Sequence, residues 1–159
     1  MKFGNLSKIK KRKFYFDWIL DNELAIGPSP NKIDDLEILK VANFKSILSL
    51  CSYEEAANPK EISEIFQFRR VLLPDHKCGR IPTITELDKA LNVLEELIKY
   101  HNPVFIHCFA AMERSPLVCI AWLVKKHKLT TKEALDYVMQ VHKGTNPLSE
   151  QLTVLKYLN

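Results

Sequence analysis

The sequence contains no hydrophobic run long enough to cross a bilayer. Its longest apolar stretch, Leu117 to Val124, is far shorter than the roughly 20 residues that a spanning helix needs. No stretch of signal-peptide type opens the chain, and neither end carries a lipidation motif. None of the four cysteines forms a C-x-x-C unit, which argues against a zinc site. Free thiols without an export signal favour a reducing compartment, so we expect a cytoplasmic protein.

The charge of the chain is only mildly basic, with 23 lysines and arginines against 19 acidic residues. A dedicated nucleic-acid binder has a larger excess, so we expect no nucleic-acid partner. The chain has 159 residues, 47% of them hydrophobic, which predicts one globular domain. Nothing in the sequence demands an assembly, so we expect a monomer. That domain is predicted to span residues 14–159, after a basic tail over residues 1–13. We expect the tail to be a solvated end rather than a membrane contact. Its basic residues are Lys8, Lys10, Lys11, Arg12 and Lys13.

Strand-like and helix-like segments alternate along the domain. Apolar and β-branched runs predict strands, and helical periodicity or capping residues mark the segments between them. The predicted strands cover residues 14–19, 24–26, 46–50, 68–73 and 104–106. The predicted helices cover residues 33–39, 59–66, 85–100 and 115–127, and two more begin near Thr131 and Ser149. This alternation predicts a single α/β domain with a central, largely parallel sheet flanked by helices.

The segment from Val104 to Pro116 reads as strand, loop and helix, with Cys108 ending the strand and Arg114 opening the helix. Ligands of α/β sheets bind at the carboxyl ends of strands, and a helix N-terminus attracts anions through its free N–H groups and its dipole. The loop amides can surround a phosphate, while an arginine can clamp two of its oxygens. The same positive field favours a thiolate, so Cys108 is predicted to be a nucleophile.

His107, Cys108, Arg114 and Ser115 resemble the signature H-C-x-x-G-x-x-R-[ST] of the protein tyrosine phosphatase superfamily. The short chain is similar to the dual-specificity branch of that superfamily, over about residues 14–158. The segments "LAIG" and "SILSL" resemble the N-terminal half of that branch. Asp75, in "LPDHK", lies where these enzymes keep their general acid.

This resemblance implies a two-step hydrolysis of phosphate monoesters that needs no metal and no cofactor. Cys108 attacks the phosphorus, Arg114 binds the phosphate, Asp75 acts as general acid and then as base, and Ser115 helps the thiolate to leave. The implied phosphate-binding loop comprises His107, Phe109, Ala110, Ala111, Met112, Glu113 and Arg114. The implied partner is a phosphorylated protein carrying phosphotyrosine, with phosphoserine and phosphothreonine as further substrates of a shallow, dual-specificity site.

Two loop residues depart from the family pattern. Ala111 stands where the family has a glycine, and Glu113 replaces a frequent second glycine. An alanine at positive φ costs on the order of 1 kcal/mol or more, so we expect a strained or reshaped loop that affects rate rather than chemistry. The Glu113 carboxylate is expected to turn away from the phosphate, into solvent or a structural pair.

Residues outside the motif carry weaker signals. In some phosphatases of the superfamily, a cysteine at the place of Cys51, after the strand 46–50, forms a reversible disulfide with the nucleophile. A buried structural thiol is the alternative for Cys51, and Cys119 is assigned to the core. Asn146 and Gln151 can support the site from the C-terminal loop, but turn and cap roles are favoured for them.

Other functions stay open on the sequence alone. A weakly catalytic module that binds phosphopeptides is supported only by Ala111 and Glu113, and retention of Asp75 counts against it. A phosphoinositide or an RNA 5′ phosphate as substrate is slightly favoured by the basic tail, but not by Glu113. A sulfurtransferase would not explain Arg114 and Ser115 together with Asp75.

Overall fold

The computed structural model of the protein describes residues 13–158. Lys8, Lys10, Lys11 and Arg12 of the predicted basic tail therefore lie outside the described residues, and Lys13 is exposed. The boundary between tail and domain stays a prediction.

Within residues 13–158, five strands form one sheet in the order β1-β2-β5-β3-β4. They are β1 (Asp17–Leu20), β2 (Leu24–Gly27), β3 (Ser46–Ser49), β4 (Gln67–Arg70) and β5 (Val104–His107). β1 runs antiparallel to β2, and the other neighbouring strands are parallel. The central strand β5 pairs with β2 and β3, so that Ile106 lies opposite Ile26 and Leu48. The predicted α/β fold around a largely parallel sheet is confirmed.

Helices connect the strands and flank the sheet. Within the described chain they are α1 (Ile33–Val41), α2 (Ile62–Ile65), α3 (Ile84–Tyr100), α4 (Arg114–His127), α5 (Thr131–Val141) and α6 (Ser149–Thr153). Thr83 and Thr130 cap α3 and α5, each accepting a hydrogen bond from the N–H three residues later. α2 is shorter than the helix predicted over residues 59–66. It begins later, because residues 60 and 61 form a turn, and it ends one residue earlier, because Phe66 is already extended and leads into β4.

Side chains alternate across the sheet and build an apolar layer on each face. Phe105 belongs to the layer that contains Leu36 of α1 and Ile62 of α2, whereas its neighbour Ile106 belongs to the layer formed with α3, α4 and α5. Every residue of α4 from Arg114 to Leu123 is buried. This burial fixes the N-terminus of the helix close to the end of β5. Among the described residues, no helix combines the length and the apolar character that spanning a membrane requires.

The parallel strands β3, β4 and β5 end at the same edge of the sheet. Beyond β4 the pairing continues, since Val71 N–H donates to Ser49 O at 2.9 Å and Leu73 N–H donates to Leu50 O at 3.0 Å. The strand predicted over residues 68–73 is regular only as far as Arg70, but its backbone stays hydrogen-bonded to the segment after β3 as far as Leu73. This extension brings the following loop to the edge where β5 ends.

Candidate active site

Cys108 follows β5 directly, is almost fully buried, and lines a cavity of about 290 Å³. Its Sγ lies 3.1 Å from the Oγ of Ser115, in the first turn of α4. The connecting loop therefore folds back so that the two residues meet at the helix N-terminus. A hydroxyl at this distance can donate a hydrogen bond to a thiolate and stabilise it.

The loop between Cys108 and α4 turns its carbonyl groups outward. Three of them accept hydrogen bonds from outside the loop: Phe109 O from Ser29 N–H at 3.2 Å, Ala111 O from His142 Nε2 at 2.6 Å, and Met112 O from Asn146 N–H at 2.7 Å. In a trans peptide the next N–H points opposite to the carbonyl. The amides of residues 110, 112 and 113 are thus turned to the other side, and these residues line the cavity. Backbone amides turned toward a cavity in this way can bind an anion.

Ala111 has a φ of +59°, so an alanine occupies the left-handed conformation that favours glycine. A buried imidazole holds this strained position: the ring of His142 lies 2.6 Å from Ala111 O through Nε2 and 2.7 Å from Asp17 Oδ2 through Nδ1. Asp17 fixes the ring, and the ring fixes the loop. No sequence pattern points to His142, because it stands 31 positions from Ala111.

Arg114 is the first residue of α4, and only 4% of its side chain is exposed. Its Nη1 donates to Glu55 Oε2 at 2.9 Å, and its Nη2 donates to Glu55 Oε1. Burial alone would lower the pKa of Arg114, but the hydrogen bonds to Glu55 and the negative charge of Cys108 raise it above its usual value. The guanidinium has further N–H groups on Nε and Nη2 with which to bind a phosphate. Glu55, in the loop between β3 and α2, is a site residue that the sequence does not reveal.

Asp75 reaches the cavity from the loop after β4 and caps the short 3₁₀ turn His76–Cys78. Its Oδ1 accepts a hydrogen bond from Lys77 N–H at 2.9 Å, and its Oδ2 lies 3.7 Å from Arg114 Nη2. The structure therefore brings the carboxyl, the guanidinium and the thiol of Cys108 to one cavity, as the sequence predicts. A carboxyl at this position can donate a proton to the leaving oxygen of a phosphate ester bound in the cavity.

Glu113 is the last residue of the loop before α4, and 14% of its side chain is exposed. The side chain contacts the turn that contains His76 and helix α6. Its Oε1 accepts hydrogen bonds from His76 N–H at 3.1 Å and from Gln151 Nε2 at 2.5 Å, and its Oε2 lies 2.5 Å from His76 Nδ1. The expected structural pair is present, although the side chain also lines the cavity. Gln151 also accepts a hydrogen bond from Leu148 N–H at 2.7 Å, which is the cap role predicted for it. It therefore both caps α6 and contacts the site through Glu113.

His107 ends β5 in a fully buried position. Burial lowers its pKa to about 4, so the imidazole is neutral at pH 7. Its Nδ1 is 2.9 Å from Cys108 O and carries the ring proton, because a carbonyl oxygen can only accept. This hydrogen bond ties the backbone of the cysteine to the end of the strand.

The remaining buried cysteines differ from Cys108 in their surroundings. Cys51 lies just after β3, 3.6 Å from Ser49 Oγ, and burial raises the pKa of its thiol. Both Cys51 and Cys108 are free thiols, and a disulfide between them stays a prediction. Cys119 is fully buried in α4, where burial also raises its pKa, and it packs in the apolar core.

Among the described residues, one group of side chains offers metal ligands. Asp75, His76 and Glu113 each present a ligand atom, and these atoms lie within 4.8 Å of one another. The same side chains are engaged in contacts among themselves and with Gln151. All three also line the cavity.

The family model for the dual specificity phosphatase catalytic domain matches residues 26–158. Because this match covers most of the sequence, the chain belongs to the dual specificity phosphatase family, within the protein tyrosine phosphatase superfamily that the motif resembles.

Individual relatives agree with this assignment. The chain is 24% identical over 112 residues to "Dual specificity protein phosphatase 2" of Mus musculus, which covers 70% of this chain and 33% of the relative. It is 21% identical over 138 residues to "Phosphatidylglycerophosphate phosphatase PTPMT2" of Arabidopsis thaliana, which covers 86% of this chain and 60% of the relative. The crystal structure of Tk-PTP in the active form superposes with a TM-score of 0.77 and 26% identity, covering 90% of this chain and 95% of that one. The chain thus spans about a third of the mouse relative.

Proposed function

We propose that this chain is a cysteine-dependent phosphatase that hydrolyses phosphate monoesters on proteins, with Cys108 as nucleophile. The observation that carries the proposal is the meeting of three groups at one cavity. They are the thiol of Cys108, 3.1 Å from Ser115 Oγ, the guanidinium of Arg114, and the carboxyl of Asp75, 3.7 Å from that guanidinium. They supply the nucleophile, the anion clamp and the proton donor that the reaction requires.

In the first step, Cys108 Sγ attacks the phosphorus in line while the bond from phosphorus to the leaving oxygen breaks. Arg114 and the amides of the phosphate-binding loop (residues 109–114) bind the equatorial oxygens. Asp75 donates its proton to the leaving oxygen, so the products are the free alcohol and a phosphocysteine. Glu55 holds the guanidinium in the orientation that this step needs.

In the second step, water attacks the phosphocysteine and Asp75 takes the proton that the water loses. The bond between sulfur and phosphorus breaks, and its electron pair returns to Cys108 as a thiolate. The Ser115 hydroxyl, 3.1 Å from the sulfur, donates a hydrogen bond to that developing charge. Inorganic phosphate leaves, and Asp75 is protonated again for the next cycle.

The lining of the cavity favours a single phosphate on an apolar carrier. Phe109, Met112 and Leu148 are 47%, 48% and 37% exposed and all line the cavity, so they can pack against an aromatic ring. Besides Arg114, the lining has one lysine, Lys77, among the residues that the structure describes. A phosphotyrosine side chain fits this composition better than a polyphosphorylated inositol or an RNA end does. We take the enzyme to act as a cytoplasmic monomer.

A lipid phosphate is a second candidate substrate. The match to the relative named as a phosphatidylglycerophosphate phosphatase covers 86% of this chain, more than the 70% covered by the mouse dual specificity phosphatase. The apolar residues at the rim of the cavity suit the acyl chains of a phospholipid as well as an aromatic ring. The two candidates differ in the carrier and share the chemistry of the phosphate.

The test is hydrolysis of p-nitrophenyl phosphate in the presence of EDTA and a thiol reductant. We expect turnover by the wild type, none by Cys108→Ser, and a loss of about 100-fold or more in kcat for Asp75→Asn, because kcat includes the second step, in which Asp75 is the base, and a general base contributes that much. Absence of turnover by reduced wild type that still binds vanadate would favour a binding module. Rates on a phosphotyrosine peptide and on vesicles containing phosphatidylglycerophosphate then separate the two substrates.

A further inference from the structure

Glu113 joins three parts of the molecule at the mouth of the cavity. It precedes Arg114 at the start of α4, and its carboxylate extends to the turn after Asp75 and to α6. There it accepts hydrogen bonds from His76 N–H at 3.1 Å and from Gln151 Nε2 at 2.5 Å, while its second oxygen lies 2.5 Å from His76 Nδ1. Both carboxylate oxygens are therefore used, and the charge is taken up by these donors rather than directed at a bound phosphate.

The Asp75 turn, residues 75–79, has few other attachments in the described chain. Its remaining hydrogen bonds are internal: they join Lys77 N–H to Asp75 Oδ1, Cys78 N–H and Sγ to Asp75 O, and Gly79 N–H to His76 O. His76 Nδ1 also lies 2.9 Å from Asp75 Oδ1, so the ring that Glu113 contacts is itself in contact with the carboxyl. Residues 76–79 are exposed, and the ion pair to Arg114 is long at 3.7 Å. An exposed turn without buried apolar anchors opens easily. The two contacts between His76 and Glu113 are thus the main polar tie between the turn and the phosphate-binding loop.

A general acid acts only when it lies within hydrogen-bond reach of the oxygen that it protonates. A misplacement of about 1 Å can cost about a hundredfold in rate. Asp75 is the first residue of the turn, and the turn contacts the phosphate-binding loop through Glu113. A loop residue whose carboxylate is occupied by other donors can therefore control the proton transfer.

We propose that Glu113 is a positioning residue that fixes the Asp75 turn over the cavity, so that Asp75 delivers its proton to the leaving oxygen. The inference rests on the proposed phosphatase function and adds to it a residue outside the nucleophile, clamp and acid. A glutamine at 113 retains one acceptor oxygen, and an alanine retains none, so the two substitutions weaken the tie by different amounts.

The experiment compares Glu113→Ala and Glu113→Gln on two substrates, p-nitrophenyl phosphate and phenyl phosphate. The phenyl oxygen is the more basic leaving group and depends more on protonation by the enzyme. We expect Glu113→Ala to lower kcat/KM, which reports the first step, by about 10-fold to 100-fold on phenyl phosphate and by no more than about threefold on p-nitrophenyl phosphate. Glu113→Gln should fall between wild type and Glu113→Ala. The matched control is Glu150→Gln, which removes an exposed carboxylate from neighbouring α6 and should leave both rates unchanged.

A second measurement separates positioning from a general structural role. In an Asp75→Asn background, Glu113→Ala should cause no further loss, because the group that Glu113 positions is gone. Equal losses on the two substrates, or a full additional loss in the double variant, would overturn the inference while leaving the proposed function intact. Wild type that hydrolyses neither substrate would refute the proposed function instead. If Glu113→Ala melts below the assay temperature, Glu113→Gln, which keeps the side-chain shape, carries both comparisons.

Discussion

Removing Glu55 tests how firmly the phosphate-binding arginine must be held. Glu55 binds both terminal nitrogens of Arg114, and the guanidinium is otherwise buried. A hydrogen bond to a charged group contributes about 1.5–3 kcal/mol, and the Glu55 side chain is 30% exposed, so water weakens the pair and the lower half of that range applies. A loss of about 1.5–2.2 kcal/mol in transition-state binding corresponds to a fall of about 12-fold to 40-fold in kcat/KM for Glu55→Ala.

The assay is the initial rate on p-nitrophenyl phosphate, together with the inhibition constant of inorganic phosphate. Because the clamp also binds the product, phosphate inhibition should weaken by a similar factor. Glu55→Gln keeps a neutral acceptor and should lose less, and Glu54→Ala, at the exposed neighbouring position, should match wild type. If Glu55→Ala keeps kcat/KM and phosphate affinity within about twofold of wild type, Arg114 does not depend on this partner and the reasoning fails.

Three further predictions concern other parts of the structure. His142→Asn should lower the free energy of unfolding by about 1–2 kcal/mol and weaken phosphate inhibition, because the ring joins Asp17 to the strained loop; an unchanged melting temperature and inhibition constant would contradict this. The hydrogen bond from Arg80 lowers the pKa of Glu86 to about 2, so the stability that Glu86 contributes is complete above about pH 4.5 and is lost as the pH falls through about 2. Glu86→Gln should therefore be about 1 kcal/mol less stable at pH 7, and the difference should shrink as the pH falls toward 2 and disappear below it, as measured by urea unfolding; a constant difference would argue against the ion pair. After treatment with peroxide, wild type should regain activity with a thiol reductant, whereas Cys51→Ser should regain less because the nucleophile oxidises further; equal recovery would exclude Cys51 as the redox partner.

The fold and the chemistry of the phosphate-binding loop could both be predicted from the sequence, because the patterns that indicate them are local. Strand and helix periodicities are local, so the alternation of elements and the parallel sheet follow from neighbouring residues. The spacing between Cys108 and Arg114 is also local, and the strand before it and the helix after it make its geometry predictable. The end of α2 was less accessible, because the extended backbone of Phe66 is set by its approach to β4 rather than by its own propensity.

The residues that the sequence did not reveal act across long separations. Glu55 stands 59 positions from the arginine that it holds, and His142 stands 31 positions from the alanine whose carbonyl it binds. Each lies in a segment without a motif. The folded structure shows which carboxylate contacts the guanidinium and which imidazole contacts the loop, because it brings these segments together at one edge of the sheet.

The two departures from the family loop are matched by partners elsewhere in the chain. Ala111 adopts a positive φ without the freedom of glycine, and His142, fixed by Asp17, binds its carbonyl oxygen at 2.6 Å. Glu113 adds a carboxylate beside an anion site, and His76 and Gln151 accommodate it with hydrogen-bond donors. Restoring glycine at 111 should therefore relieve strain of about 1 kcal/mol and make the His142 contact less important. The stability lost in His142→Asn should be smaller in an Ala111→Gly background, as a double-mutant cycle of urea unfolding would measure. If the two changes are additive, the histidine supports the fold independently of the strained residue.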